Sequence, residues 1–396
     1  MAAANPIGTT VKGFHEPRPH VLRLDPLLLL AALGLIACSL LVLGGATQDD
    51  IPGQPSFYVY RQAAYGAMGI VLMLLLSRLD YSRIREWKAG VYTLMIGTIV
   101  LVYGIGATAR GSKRAIDIGF FNFQSSELGK LLLILALSAF MVDRMRRLGE
   151  AETTSRILLL ALFPAMLVVA QPDLGSGLVY LAIATAVLFV AGTKWTHFAA
   201  LAALAVGAVV LVLVAAPALG VDVLKPYQVD RLTAFLHPTD NPREQGYQVN
   251  QSLTAVGSGG KAGRGDQATQ TRLNFLPEHH TDFIFSVVGE QFGFIGAALV
   301  LSLFALLIWR SLRILTMAKN LYGALIAGGV TAMLMFQIFV NVGMTIGIMP
   351  ITGVPLPLLS YGGSSVLVTF MALGLLQSIH AQAREVAAAK GLNRDL

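Results

Sequence analysis

Long apolar runs, separated by short polar connections, recur along most of this chain. A bilayer requires roughly 20 apolar residues per crossing helix and tolerates no irregular backbone facing lipid. On that pattern the chain predicts ten spans: Pro26 to Ala46, Tyr58 to Leu76, Gly90 to Ala107, Leu128 to Val142, Ile157 to Ala170, Ser176 to Ala191, Phe198 to Leu219, Phe283 to Leu307, Leu321 to Ile348 and Leu356 to Ile379. The fourth to sixth are short, which leaves a fused or re-entrant arrangement open there. The expected fold is an all-α polytopic membrane protein. A cytoplasmic tail (1–25) precedes a ten-helix membrane domain (26–382) and a second tail (383–396) follows it. The first run is too long for the core of a cleaved signal and lacks a small-residue cleavage site, so it is expected to stay as a span.

One soluble segment interrupts the pattern, a loop over about 220–282 between the seventh and eighth spans. Its aromatic and apolar residues, among them Tyr227, Phe235, Tyr247 and Phe275, argue against disorder. It holds a glycine run, Gly257 to Gly265, that invites a phosphate-loop reading. The Walker spacing fails, because Ala255 stands where the first glycine belongs and Ala262 follows Lys261. A flexible turn and a backbone nest for a phosphate both remain open.

Composition agrees with the pattern: 55% of residues are hydrophobic and 13% charged, far from the balance of a soluble domain. The net charge of +7 changes the picture through its distribution. Most lysines and arginines collect in the tails and in alternate short loops, around Arg78 to Lys88, Arg144 to Arg156, Lys194 and Arg310 to Lys319. By the positive-inside rule these face the cytoplasm, and an even number of spans places both termini there. The basic residues left outside concentrate in Arg110 to Lys130 and Lys225 to Arg272, against that rule, and so require another cause. No nucleic-acid partner is expected. The lone Cys38 lies inside the first span and reads as a small core residue.

The strongest chemical cluster runs from Pro277 through Glu278, His279, His280, Thr281 and Asp282 to Phe283. Asp282 falls where the chain re-enters the bilayer, and a carboxylate there is costly unless it is paired or functional. It reads equally as a general base or as a helix cap. Metal ligation by Glu278, His279, His280 and Asp282 is the lesser alternative, since no fixed zinc spacing is present. Glu127 and Lys130, three apart at the start of the fourth span, share a helix face and are expected to pair. Gln171-Pro172-Asp173 forms another outward turn. Pro350 to Ser365, with Ser360 and Tyr361, is a broken polar stretch of the kind that survives in a membrane only where it lines a cavity.

Gln171-Pro172-Asp173-Leu174-Gly175, Leu276-Pro277-Glu278 with Thr281-Asp282-Phe283-Ile284-Phe285, and Gly353-Val354-Pro355-Leu356-Pro357 with Ser360-Tyr361-Gly362-Gly363-Ser364 occur in the order seen in one family. On these motifs the chain resembles the SEDS proteins (shape, elongation, division and sporulation). Lys225-Pro226-Tyr227-Gln228 and Asp230-Arg231 make it most similar to the elongation branch, RodA, rather than the division branch. Two positions depart from the family's habit: Ala115 stands where Trp is usual, and Ser125 where Pro is usual.

The resemblance implies a peptidoglycan glycosyltransferase that polymerises lipid II into β-1,4 strands on the outer face of the bacterial cytoplasmic membrane. It assigns Asp282 the part of general base and makes Glu127 and Lys130 a groove pair. Arg110, Lys113, Arg114, Lys130, Lys225 and Arg231 are then expected to offset the donor's pyrophosphate, and Asp173, His280, Thr281, Ser360 and Tyr361 to contact substrate. A divalent cation, magnesium or manganese, would suit the same chemistry. The expected partners are lipid II, the elongation machinery and a class B penicillin-binding protein, since Ser364 and Ser365 lack the following lysine that SxxK acyl-transfer spacing requires. That partner's single helix is expected to dock on small residues such as Ala324 and Gly328 of the ninth span. A lipid-precursor flippase, with the same cations holding headgroups, is the rival reading. Only one broken span, the tenth, is visible against the paired breaks usual in transporters.

Overall fold

The computed structural model describes residues 24–109, 112–212, 245–273 and 275–389. Ten long helices follow the predicted order. They are α1 (Pro26–Ala46), α2 (Phe57–Ser77), α3 (Lys88–Ile105), α4 (Ser125–Val142), α5 (Ala151–Ala170), α6 (Leu174–Val190) and α7 (Trp195–Val210), then, after the soluble helix α8 (Gln245–Ser258), α9 (Ile284–Met317), α10 (Leu321–Thr345) and α11 (Gly363–Ala389). Eight are long and apolar enough to cross a bilayer, and α6 and α7 are shorter apolar helices.

Local chemistry sets their ends. Asp25 caps α1, its carboxylate accepting from the Leu28 amide at 2.9 Å, and Pro26 occupies the first helical position, where no amide donor is needed. The tenth span begins at Gly363, later than the Leu356 expected. Pro355 and Pro357 cannot donate to a helix, and Leu358 has a left-handed φ of 62°, so the chain stays irregular until the prolines are passed. At its other end α11 runs on to Ala389, beyond the boundary expected at 382.

Helices α4 and α11 form the inside of the bundle, with α2 packed along α11, α1 along α9, and α10 against α9, α6 and α4. The lipid-facing helices present bare apolar side chains outward, among them Leu41, Leu75, Leu94, Val100 and Leu204. Lipid tails are as apolar as leucine, so close packing rather than solvent exclusion holds these helices together. The small face of the ninth span, expected to receive a partner, is used for that internal packing. Ala327 is fully buried, and a methyl group at Gly328 would sit 2.7 Å from Val190 Cγ2.

Two features were not foreseen. Between α3 and α4 the chain forms a small antiparallel sheet, β1 (Ala107–Ala109), β2 (Ser112–Asp117) and β3 (Asn122–Gln124), with Ala115 opposite both Ala107 and Gln124. Asp117 closes the β2–β3 turn by accepting from the Gly119 amide at 2.8 Å. Helix α9 is broken at Gly293 (φ 63°, ψ −157°). The break gives the glycine run its use. The amides of Phe294 and Ile295, which open the resumed helix, donate to the carbonyls of Gly260 and Lys261 at 3.0 and 3.1 Å, and the Arg264 amide donates to Glu290 O at 2.8 Å. Such backbone-on-backbone contact leaves no room for side chains: a Cβ at Gly263 would lie 2.1 Å from Gln291 O. The glycine run is thus a brace for α9, and both phosphate readings give way to it. Glu290, fully buried, completes the joint by accepting from the Gln270 and Thr271 amides and the Thr271 hydroxyl at 2.8, 3.0 and 2.6 Å.

The two ends of the bundle differ in chemistry. At one, Arg85 and Lys88 pair with Asp143, Lys319 approaches Asp80, and Arg310 pairs with the buried Asp25. At the other lie Asp50, β3, Asp173, the 276–283 turn and the 350–362 segment, held together by the hydrogen bonds described next.

Candidate functional site

The site grows from one irregular segment fastened to another. Leu276 to Phe283 winds through a tight turn in which Glu278 takes a left-handed φ of 57° and its carbonyl accepts from the Thr281 and Phe283 amides at 3.1 and 3.3 Å. Across from it the 350–362 stretch reaches back. The Tyr361 amide donates to His280 O at 2.9 Å, and the Ser360 hydroxyl donates to Thr281 O at 2.6 Å while accepting from the Leu356 amide at 2.9 Å. Buried Asn341 of α10 fixes both strands at once, its Nδ2 donating to Asp282 O and Val354 O, each at 2.8 Å. Gln62 of α2 supports the far side, donating to Ser360 O and Ser39 Oγ.

Between these segments and β3 lies a cleft of about 620 Å³, lined by Asp282, Glu278, His280, Thr281, Tyr361, Gln124 and the start of α11. Asp282 stands one residue before Phe283, which holds the N-cap position of α9. Its carboxylate projects across Gly353, where an added Cβ would come within 3.5 Å of Oδ2. Gly353 has a φ of 73°, which a side chain would strain, so the backbone keeps this floor open. Thr281 Oγ1 donates to Glu278 Oε2 at 3.0 Å. The rings of Tyr58 and Tyr361 pack on His280 with centroids 4.7 and 5.9 Å away.

The other expected residues fall in three groups. Glu127 and Lys130 pair as expected, at 2.6 Å, and both are buried, so Lys130 is enclosed within the bundle rather than set on the cleft wall. Asp173 caps α6 through the Ser176 amide at 3.1 Å and accepts from Ser126 Oγ at 2.8 Å and Gln124 Nε2 at 3.3 Å, which joins it to the first turn of α4. Arg110, Lys225 and Arg231 lie outside the described residues, and Lys113 and Arg114 fall on β2. Asn341 and Gln62 belong to no sequence motif. The available signal was an amide side chain inside an apolar span, costly unless it has work to do.

Ser125 opens α4, buried, with a hydroxyl that has no hydrogen-bond partner, and Gln124 before it is extended (φ −107°, ψ 111°). That backbone suits a proline at the first helical position. Ser125→Pro is expected to raise stability by about 0.4–1 kcal/mol, read as a higher melting temperature of the purified protein in detergent. A lower melting temperature would show that the Ser125 amide is needed.

Comparison with known proteins fits this geometry. The family model for the FtsW/RodA/SpoVE cell cycle proteins matches residues 22–385. The peptidoglycan glycosyltransferase MrdB of Escherichia coli (strain K12) is 37% identical over 358 residues, covering 90% of this chain and 93% of its own. Among solved structures, a chain from work on how a peptidoglycan synthase complex coordinates polymerization and crosslinking matches with a TM-score of 0.77 at 31% identity, covering 91% of this chain and 98% of that one. The rod shape determining protein RodA of Thermus thermophilus matches with a TM-score of 0.65 at 30% identity, covering 91% and 98%.

Proposed function

This chain belongs to the FtsW/RodA/SpoVE family of cell cycle proteins, and from that premise we propose that the cleft beside Asp282 is where it extends glycan strands. It is a multi-pass membrane protein and a peptidoglycan glycosyltransferase. The observation that carries the site assignment is the Asp282 carboxylate at the rim of the cleft, its backbone clamped by Asn341 and its far side kept open by Gly353.

The acceptor sugar's 4-hydroxyl gives its proton to Asp282 as its oxygen attacks the anomeric carbon of the lipid-linked donor. The bond from that carbon to the pyrophosphate breaks, and lipid pyrophosphate leaves. The attack inverts an α-linked donor to a β-1,4 bond, so one base and a stabilised leaving group suffice, with no carboxylate nucleophile. Arg110, Lys113, Arg114, Lys225 and Arg231 carry the charge that offsets the pyrophosphate, which accounts for basic residues in outward loops. Thr281 and Tyr361, which line the cleft, position the sugar, while Ser360, expected to touch it, is buried and instead holds the Thr281 carbonyl through its hydroxyl; the buried Glu127–Lys130 pair positions α4. A divalent cation would supply further charge neutralisation when bound.

The flippase reading is weakened by where the breaks fall. Among the described residues the second break, at Gly293, lies like the first in the later half of the chain, so the paired symmetry of transporters is absent. We assign the chain to cell elongation in the cytoplasmic membrane, with both termini inside and a class B penicillin-binding protein as the crosslinking partner. Purified full-length protein given lipid II in detergent, alone and with that partner, is expected to yield glycan strands on a gel. Lipid II moved across vesicles with no strands formed under either condition would overturn the assignment.

A further inference from the structure

Asp50, in the connection from α1 to α2, meets the 276–283 turn. Its Oδ2 lies 3.2 Å from His279 Nε2 and 3.9 Å from His280 Nδ1, and the three ligand atoms all fall within 4.8 Å of one another. We propose that Asp50, His279 and His280 form a binding site for a divalent transition-metal ion of the zinc class, which ties the α1–α2 connection to the turn that carries Asp282.

The hydrogen bond on the other side of His279 makes the case. Nδ1 lies 3.2 Å from Leu276 O, and a carbonyl oxygen only accepts, so Nδ1 carries the proton. In the neutral ring Nε2 then presents a lone pair to a carboxylate oxygen 3.2 Å away. With the ring neutral, two lone pairs face one another inside the protein, where His279 is only 3% exposed. A cation between them resolves the conflict. Imidazole held by a backbone carbonyl at one nitrogen, with the other nitrogen turned to a metal, is the usual outer-shell arrangement of ligating histidines.

Spacing and donor type select the ion. Metal–ligand distances of roughly 2.0–2.2 Å put tetrahedral ligand atoms about 3.3–3.5 Å apart, and the observed 3.2 and 3.9 Å straddle that value. Two imidazoles and one carboxylate suit zinc, cobalt or manganese, whereas magnesium and calcium prefer all-oxygen sets. Three protein ligands leave a coordination position for water. The rings of Tyr58 and Tyr361 against His280 limit its rotation, so two of the three ligands are already oriented by contacts independent of a metal.

The test uses the full chain in detergent, stripped with a chelator and titrated with Co²⁺ as a visible-absorption probe, then with Zn²⁺ against a chromophoric competitor. The expected result is one ion per chain, with tetrahedral cobalt bands displaced by zinc and a melting temperature raised by zinc. Asp50→Asn and His279→Gln should each weaken zinc binding by at least about 100-fold, no less than loss of an outer-shell partner costs, and abolish the thermal shift. Asp50 lies in a connection between helices, so its variant keeps the fold even if the His279 variant does not. Absence of saturable one-to-one binding, or parental affinity in Asp50→Asn, would overturn the site and leave a protonated His279 paired with Asp50.

Discussion

Asp282→Asn is expected to cut lipid II polymerisation by about 10²–10⁴-fold, the usual share of a positioned general base, while the purified protein melts as the parent does. The substitution keeps the size of the side chain and the backbone clamp, because Asn341 donates to the Asp282 carbonyl and not to its side chain. Phe283 still opens α9. The carboxylate's charge and its capacity to accept a proton are lost. Strand synthesis within about threefold of the parent rate would remove Asp282 from the chemistry, and a collapse in melting temperature would return it to a structural part.

What the sequence disclosed depended on how far apart the cooperating residues stand. The apolar helices, eight of them long enough to cross a bilayer, were legible because each writes its own apolar run, and the irregular 350–362 stretch because its prolines announce it. The Glu127–Lys130 pair was legible too, being one helical turn apart. The break at Gly293 was hidden: a long apolar run resumes after Glu290 and Gln291 and reads as one span, and the cause of the break is the backbone of Gly260 to Gly263, distant in sequence and suggestive by itself of a phosphate loop. The sheet over residues 107–124 was hidden because Arg110, Lys113 and Arg114 interrupt its apolar pattern and drew attention as charges. Nothing in the sequence around Asp50 links it to His279, which only the fold brings beside it. The small residues of the ninth span are informative in a limited way: they mark close packing without saying which helix is close, and at Gly328 the neighbours are α6 and α9.

Removing one member of the Glu127–Lys130 pair is expected to be the most damaging change to stability. Lys130 has no exposed surface and Glu127 almost none, and their separation is 2.6 Å. Glu127 stands in the first turn of α4, where the helix dipole favours a negative charge, so the lysine one turn on depends on it for compensation. Glu127→Gln or Lys130→Met alone leaves an uncompensated buried charge, and each should cost about 3–5 kcal/mol, visible as a sharp fall in melting temperature. The double change Glu127→Gln/Lys130→Met removes both charges and should recover most of that loss, since a buried ion pair often contributes little net stability over neutral groups of like volume. Activity should not recover with it. The pair lies in the first turns of α4, next in the chain to Ser126 and Gln124, which tie the helix to Asp173 and to the cleft, and the neutral pair cannot reproduce its charges there. Melting curves and lipid II polymerisation measured on all three variants separate the two effects. Full activity in a restabilised double variant would make the pair a structural strut with no share in the chemistry.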